Sequence, residues 1–200
     1  MLWEYKISNQ IKEYELRHDP VIITVNEFTE ESSKAFRSKV ALAHNTGQKV
    51  IPVIIDSFGG EVVALMSMIS TIEQSKLPVA TIVEGKAMSC GAALLAFGTE
   101  GYRFVDQHAT VMIHDISGGV IGKVDDMIAK AENARRLNDK IYKMMARQCG
   151  KNDTYFLDEL DKKKHADWYL EADECIEIGL AQFKRVPSMS VSVDVDIKFI

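Results

Sequence analysis

The decapeptide Ala87-Met88-Ser89-Cys90-Gly91-Ala92-Ala93-Leu94-Leu95-Ala96 sets one hydroxyl before a glycine and small apolar residues, shortly after the strand-like run Val79-Ala80-Thr81-Ile82-Val83. A hydroxyl at the opening of a buried helix lies beside backbone N–H groups without intrahelical partners, which places it for nucleophilic chemistry. Taken alone, the same serine reads as an ordinary helix N-cap. A serine nucleophile needs a base to take its proton and a third group to hold that base in one tautomer. Of the five histidines, His18, His44, His108, His114 and His165, only His114 closes an apolar strand, Thr110-Val111-Met112-Ile113, and opens a Gly-rich turn, Ser117-Gly118-Gly119. Acyl transfer also needs donors for an oxyanion, each worth roughly 3 to 4 kcal/mol. Gly59-Gly60 lets backbone approach a substrate closely, and the Cys90 N–H follows the serine at a helix N-terminus. For the orienting carboxylate, spacing alone leaves Asp153, Asp158, Asp161 and Asp167 undistinguished.

The elements that must position these groups repeat as strand then helix. Val21-Ile22-Ile23-Thr24-Val25 is short, β-branched and apolar, and Thr29 with Glu30 and Glu31 caps a helix expected to reach about Asn45. Val50 to Ile55 reads as a buried strand, Ser57-Phe58-Gly59-Gly60 as a tight turn and Glu61 to Gln74 as a helix. Such units imply a mainly parallel sheet covered on both faces, with chemistry at the carboxyl ends of the strands. Val124 to Cys149 is different: Met127, Ala131, Ala134, Leu137, Ile141 and Met144 recur at helical spacing, Asp125 and Asp126 suit its N-terminus, and Gly150 ends it. About 26 residues at 1.5 Å each would span about 39 Å, which implies a protruding contact arm rather than a helix lying wholly on the sheet. The alternation Val191-Ser192-Val193-Asp194-Val195-Asp196-Ile197-Lys198 suits a terminal strand or a docking tail.

Two hundred residues, 46% hydrophobic and 26% charged, support one domain with its own core. We divide it into a head of about residues 19–122 and 166–185, an arm of about 123–165 and a C-terminal tail of 186–200. A net charge of −5 and a lone basic cluster, Lys162-Lys163-Lys164, exclude a nucleic-acid groove. Cys90, Cys149 and Cys175 are odd in number and lack paired spacing, so neither a disulfide framework nor a metal site is expected. With no apolar run long enough to span a bilayer, a cytoplasmic location and no membrane partner are expected.

Ser57-Phe58-Gly59-Gly60, Ala87-Met88-Ser89-Cys90-Gly91-Ala92, Val111-Met112-Ile113-His114 with Gly118-Gly119, and Asp167-Trp168-Tyr169-Leu170-Glu171-Ala172 ending in Glu177-Ile178-Gly179-Leu180 resemble the ClpP family of serine peptidases. The resemblance runs in order from about Val21 to Gln182. It implies an α/β fold, the ClpP/crotonase-like superhelix of βα units with the long helix as a protruding arm. It also implies Ser89 as nucleophile, His114 as base and then acid, Asp167 as the orienting carboxylate, and Gly60 and Cys90 as oxyanion donors. An extended substrate would lie beside Gly59 and along Gly118, Gly119 and Val120 as an added strand. Further implications are stacked seven-membered rings enclosing the serines and unfolded polypeptide as substrate. No cofactor is expected in this chain, ATP being used by a partner ATPase of the Clp/Hsp100 type.

The sequence also departs from the family pattern. His114-Asp115-Ile116 stands for His-Gln-Pro, Ser57-Phe58-Gly59-Gly60 for Ser-Pro-Gly-Gly, and Ala166 for an arginine of ring-to-ring contacts. The short charged stretch Asn9 to Asp19 implies a reduced N-terminal hairpin, and hence altered ATPase docking. These departures fit a specialised, phage-encoded member, such as a head-maturation protease. Two other classes compete: a crotonase-type acyl-CoA enzyme, which would ignore a fluorophosphonate probe, and a non-catalytic ring subunit, which would have lost a triad residue. A Ser–Lys centre using Lys86 is a variant of the first reading.

Overall fold

The computed structural model describes residues 20–117 and 121–190. Gly118, Gly119, Val120, His18, the stretch from Asn9 to Asp19 and the alternating segment Val191 to Lys198 therefore lie outside the described residues. Among the described residues, seven strands form one sheet: β1 (Ile23–Val25), β2 (Ile51–Ser57), β3 (Val79–Met88), β4 (Arg103–Val105), β5 (Thr110–Ile113), β6 (Trp168–Leu170) and β7 (Phe183–Lys184). The path β1-β2-β3-β4-β7 is parallel throughout, and a helix crosses over between β1 and β2, between β2 and β3 and between β3 and β4. β3 runs on past Val83 through Glu84, Gly85 and Lys86. Its first half pairs with β4, and its second half, Lys86 to Met88, pairs with β5. The polar Glu84-Gly85-Lys86 marks the change of partner, a continuation that the apolar run ending at Val83 did not announce.

The helices are α1 (Glu30–Ala43), α2 (Val62–Glu73), α3 (Cys90–Ala96), α4 (Val124–Gln148), α5 (Tyr155–Lys162) and α6 (Ala172–Glu177). α1 begins at the expected Thr29, whose hydroxyl accepts from the Ser32 N–H at 3.1 Å while the Ser32 hydroxyl accepts from the Thr29 N–H at 2.9 Å. Ile51, Val53, Ile55, Val79 and Val83 are completely buried, as continuous apolar strands covered on both faces must be. α3 is buried over its whole length. Its last turn is tied down by two polar groups of the core. The Thr81 hydroxyl donates to the Leu95 carbonyl at 2.9 Å, and the buried Arg103 guanidinium donates to the carbonyls of Ala96 and Gln148, each at 3.1 Å. Arg103 thus places its positive charge at the C-terminal ends of both α3 and α4, where helix dipoles favour it.

Within α4 the buried side chains are Ile141, Tyr142, Met145 and Ala146. The predicted stripe is displaced: Ile141 lies on it, Ala134, Leu137 and Met144 are half-buried, and Met127 and Ala131 are exposed. The face that packs is set by α3 and α5 lying under the last turns, a tertiary choice that periodicity alone does not encode. The helix stops where Gly150 adopts φ +66°, as expected.

Candidate active site

Strand register builds the site. Met88 of β3 pairs with Met112 of β5, so the next residues, Ser89 and then His114 two positions past Met112, leave neighbouring parallel strands side by side. On the other flank of β5 the antiparallel β6 pairs Ile113 with Trp168, which sets Asp167 opposite His114 one step further on. Three adjacent strand ends thereby carry the serine, the histidine and the aspartate in that spatial order.

Ser89 is the N-cap of α3 and has φ +56° and ψ −117°, a backbone conformation that costs a non-glycine residue about 1–3 kcal/mol. Its N–H donates to the Met112 carbonyl at 2.8 Å and its carbonyl accepts from Ala93 at 3.1 Å, so the strained residue is held at both ends. Its side chain makes no capping bond to the helix, which distinguishes it from an ordinary N-cap serine. A sharp strand-to-helix turn of this kind presents the hydroxyl outward.

The Gly59-Gly60 turn packs directly against this residue. A Cβ on Gly59 would sit 2.8 Å from the Ser89 Cβ, and one on Gly60 would sit 2.5 Å from the Phe28 carbonyl oxygen, with φ +107° and +150° respectively. Only glycine fits at either position. The peptide after Gly60 is pinned from both sides: the Cys90 thiol donates to the Gly60 carbonyl at 3.3 Å and the Glu61 N–H donates to Phe28 O at 2.7 Å. Burial pushes the Cys90 thiol above the usual thiol range, so it persists as this donor at neutral pH. The Gly59 N–H is engaged by the Ser57 hydroxyl at 3.0 Å. Among the described residues, the N–H groups of Gly60 and Cys90 donate to no backbone carbonyl of the surrounding turns and caps.

His114 Nδ1 lies 3.7 Å from Asp167 Oδ1, a contact of opposite polarity longer than a hydrogen bond. Among the described residues the Ser89 hydroxyl and the His114 ring form no hydrogen bond with each other, although both line the same small cavity of about 30 Å³. The remaining walls are Val62, Leu65, Cys90, Ala93, Ile113, Ile116, Asn138, Ile141, Tyr142 and Met145. The cavity is therefore a small slot of mostly apolar walls between α2, α3, the end of β5 and the last turns of α4, lined also by the serine and the histidine. Sequence reasoning did not single out Asn138, Tyr142 or Met145 for this wall. The Tyr142 hydroxyl donates to the His114 carbonyl at 2.6 Å, and burial followed by the nearby Asp115 raises its pKa well above the ordinary phenol value.

The competing residues are occupied elsewhere. Asp153 pairs with Arg147 at 2.6 Å, Asp158 accepts from the Thr154 hydroxyl at 2.8 Å, and Asp161 faces His165 at 3.1 Å. His44 contacts the Val40 carbonyl at 2.7 Å and His108 contacts Gln107 at 2.9 Å. Lys86 is engaged by Asp56 at 2.7 Å, with its ammonium 4.5 Å above the Phe58 ring. No group of three or more His, Cys, Asp or Glu residues able to hold a metal occurs among the described residues, and none of the described helices is long and apolar enough to cross a membrane.

A parallel βα sheet with a strained serine at a strand-to-helix turn and a histidine at the next strand end defines an α/β protein of the ClpP/crotonase-like class. The sequence model of the family described as Clp protease matches residues 6–183, and the chain belongs to that family of ClpP-type serine peptidases.

Proposed function

We propose that the chain is a serine endopeptidase whose triad is Ser89, His114 and Asp167, with the backbone N–H groups of Gly60 and Cys90 as oxyanion donors. The observation that carries this reading is the register of β3, β5 and β6, which sets the three side chains on adjacent strand ends. Ser89 Oγ attacks the scissile carbonyl carbon as its proton passes to His114 Nε2. The displaced carbonyl electron pair rests on the oxygen, which accepts from the two N–H groups. Collapse breaks the C–N bond, and the leaving amine takes the proton from His114. Water then repeats the sequence on the acyl ester, releasing the new carboxyl terminus and restoring Ser89. Asp167 accepts from His114 Nδ1–H and holds the ring in the tautomer that presents Nε2. From the 3.7 Å of the resting protein, an approach of about 1 Å makes that contact a hydrogen bond. Catalytic contacts of this kind commonly tighten when substrate binds.

The apolar walls Val62, Leu65, Ala93, Ile141 and Met145 favour an apolar over a charged side chain on the acyl side of the cut bond, and the small space between them must widen to admit one. Substrate backbone would add as a strand beside Gly59 and the Gly118-Gly119-Val120 segment. Family membership supports assembly into rings, which we take to be stacked heptamers enclosing the serines. It also supports unfolded polypeptide as substrate, delivered by an ATPase of the Clp/Hsp100 type in the cytoplasm, with ATP used by the partner and no cofactor in this chain. The changed substrate rim at Asp115 and Phe58 fits a specialised, phage-encoded member. Hydrolysis of fluorogenic peptides with an apolar P1 residue is expected, and Ser89→Ala abolishes it while leaving particle mass unchanged. Retained turnover in Ser89→Ala overturns the nucleophile assignment. Adding a ClpX-type ATPase with ATP and a tagged folded protein tests delivery: accelerated degradation supports it and no effect removes it.

A further inference from the structure

Outside the triad, the turn that carries Asp167 and the loop that carries His114 are tied by a second set of side chains. Asp115, immediately after His114, accepts through Oδ1 from the Asn138 amide of α4, and its Oδ2 lies 2.7 Å from His165 Nδ1. The other ring nitrogen of His165 lies 3.1 Å from Asp161 Oδ1, at the end of α5. Asn138 returns a bond to the same loop, its Oδ1 accepting from the Ile116 N–H at 3.2 Å. His165 stands two residues before Asp167, in a turn where Lys164 and His165 both have φ +57°, a conformation disfavoured for residues with a Cβ. Its backbone N–H donates to the Leu160 carbonyl at 2.9 Å. Lys162 is paired with Glu159 at 2.6 Å and Lys163 lies 5.1 Å over the Trp168 ring, so these two are engaged elsewhere.

We infer that His165, held between Asp115 and Asp161, is a positioning residue that sets the separation of His114 from Asp167. This rests on the triad reading above. The link is short in three dimensions and long in sequence, Asp115 and His165 being 50 residues apart. It joins the residue next to the base with a residue two before the orienting carboxylate. Among the described residues, the Asp167 turn is otherwise tied to the His114 loop by the three pairs of the β5–β6 ladder and by the 3.7 Å contact of Asp167 with His114 itself. A ring facing two carboxylates serves both only when both nitrogens carry protons, and a guanidinium in its place has donors for both.

The test is steady-state peptide hydrolysis by the full chain. His165→Ala is expected to lower kcat about tenfold with KM within about twofold, since a misplacement near 1 Å costs up to about 10²-fold. His165→Arg is expected to recover most of the loss. Asp115→Asn keeps the shape of the side chain and removes its charge, so it should lower kcat in the same way. Adding His165→Ala to it should then cost little more. An unchanged kcat in His165→Ala, or equal loss in His165→Ala and His165→Arg with both variants folded, overturns the inference. Turnover that survives in Ser89→Ala instead overturns the triad, so the two failures are told apart.

Discussion

The two ends of α4 share a helix and little else. In its last turns Ile141, Tyr142, Met145 and Ala146 are buried against α3 and α5, and the first three form one wall of the cleft beside Ser89 and His114. In its first turns Val124, Met127 and Ile128 are 71%, 41% and 52% exposed, and Ile121 just before them is fully exposed. Apolar residues at helical spacing therefore specify a helix without specifying what it packs against. Burial comes from the sheet and the neighbouring helices, and where they end the helix continues uncovered. Because the buried half also carries Asn138 and Tyr142, its packing reaches the chemistry directly through the His114 loop.

This contrast can be broken by substitution. The largest effect is expected from Ile141→Ala, which removes methylenes from a 6% exposed site and should cost about 2–5 kcal/mol by chemical denaturation. A loss under 0.5 kcal/mol would mean that the last turns of α4 are not core. Tyr142→Phe should cost about 1 kcal/mol, since it removes one hydrogen bond to the His114 carbonyl, and should lower kcat more than it raises KM. Equal changes in both parameters would detach Tyr142 from the positioning of His114.

Titration sharpens the comparison at the buried end of α4. Burial pushes the Cys149 thiol from its ordinary 9.0 up to about 11, and the Cys175 thiol up to about 12. In the unfolded chain these thiols ionise near pH 9 while the folded protein still holds their protons, so the native state binds more protons above that pH. Their contribution to stability is present in full below pH 9 and is lost as pH rises towards 11 and 12. Denaturation midpoints measured from pH 8 to 11 should fall, and the slope should be smaller in Cys149→Ser. An identical slope in that variant would contradict the assignment. The smallest effect belongs to the exposed end: Ile128→Ser should change the stability of the isolated chain by no more than about 0.5 kcal/mol.

Much of this architecture was legible as apolar runs and helical periodicity. β2, the first half of β3, β5, α1, α2 and the extent of α4 follow from such signals, as do Ser89 and His114 as the groups worth pairing. β4, β6 and β7 left no period to read because they are only 3, 3 and 2 residues long. The second half of β3 is polar where it changes partners, and so resembled a loop. Asp167 could not be separated from Asp153, Asp158 and Asp161 by spacing, because its selection depends on the antiparallel register of β5 with β6. Arg103 gave no sign of its place under two helix ends for the same reason: its partners, Ala96 and Gln148, are assembled only by the fold.

The central claim is that Ser89 is an activated nucleophile served by His114. Its most direct test is covalent labelling of the intact protein by a fluorophosphonate, with the modified residue located by peptide mass spectrometry. The account predicts one adduct, on Ser89, forming at least about 10³-fold more slowly in His114→Ala. Absence of an adduct on Ser89 in a protein that hydrolyses peptides, or undiminished labelling in His114→Ala, would contradict it.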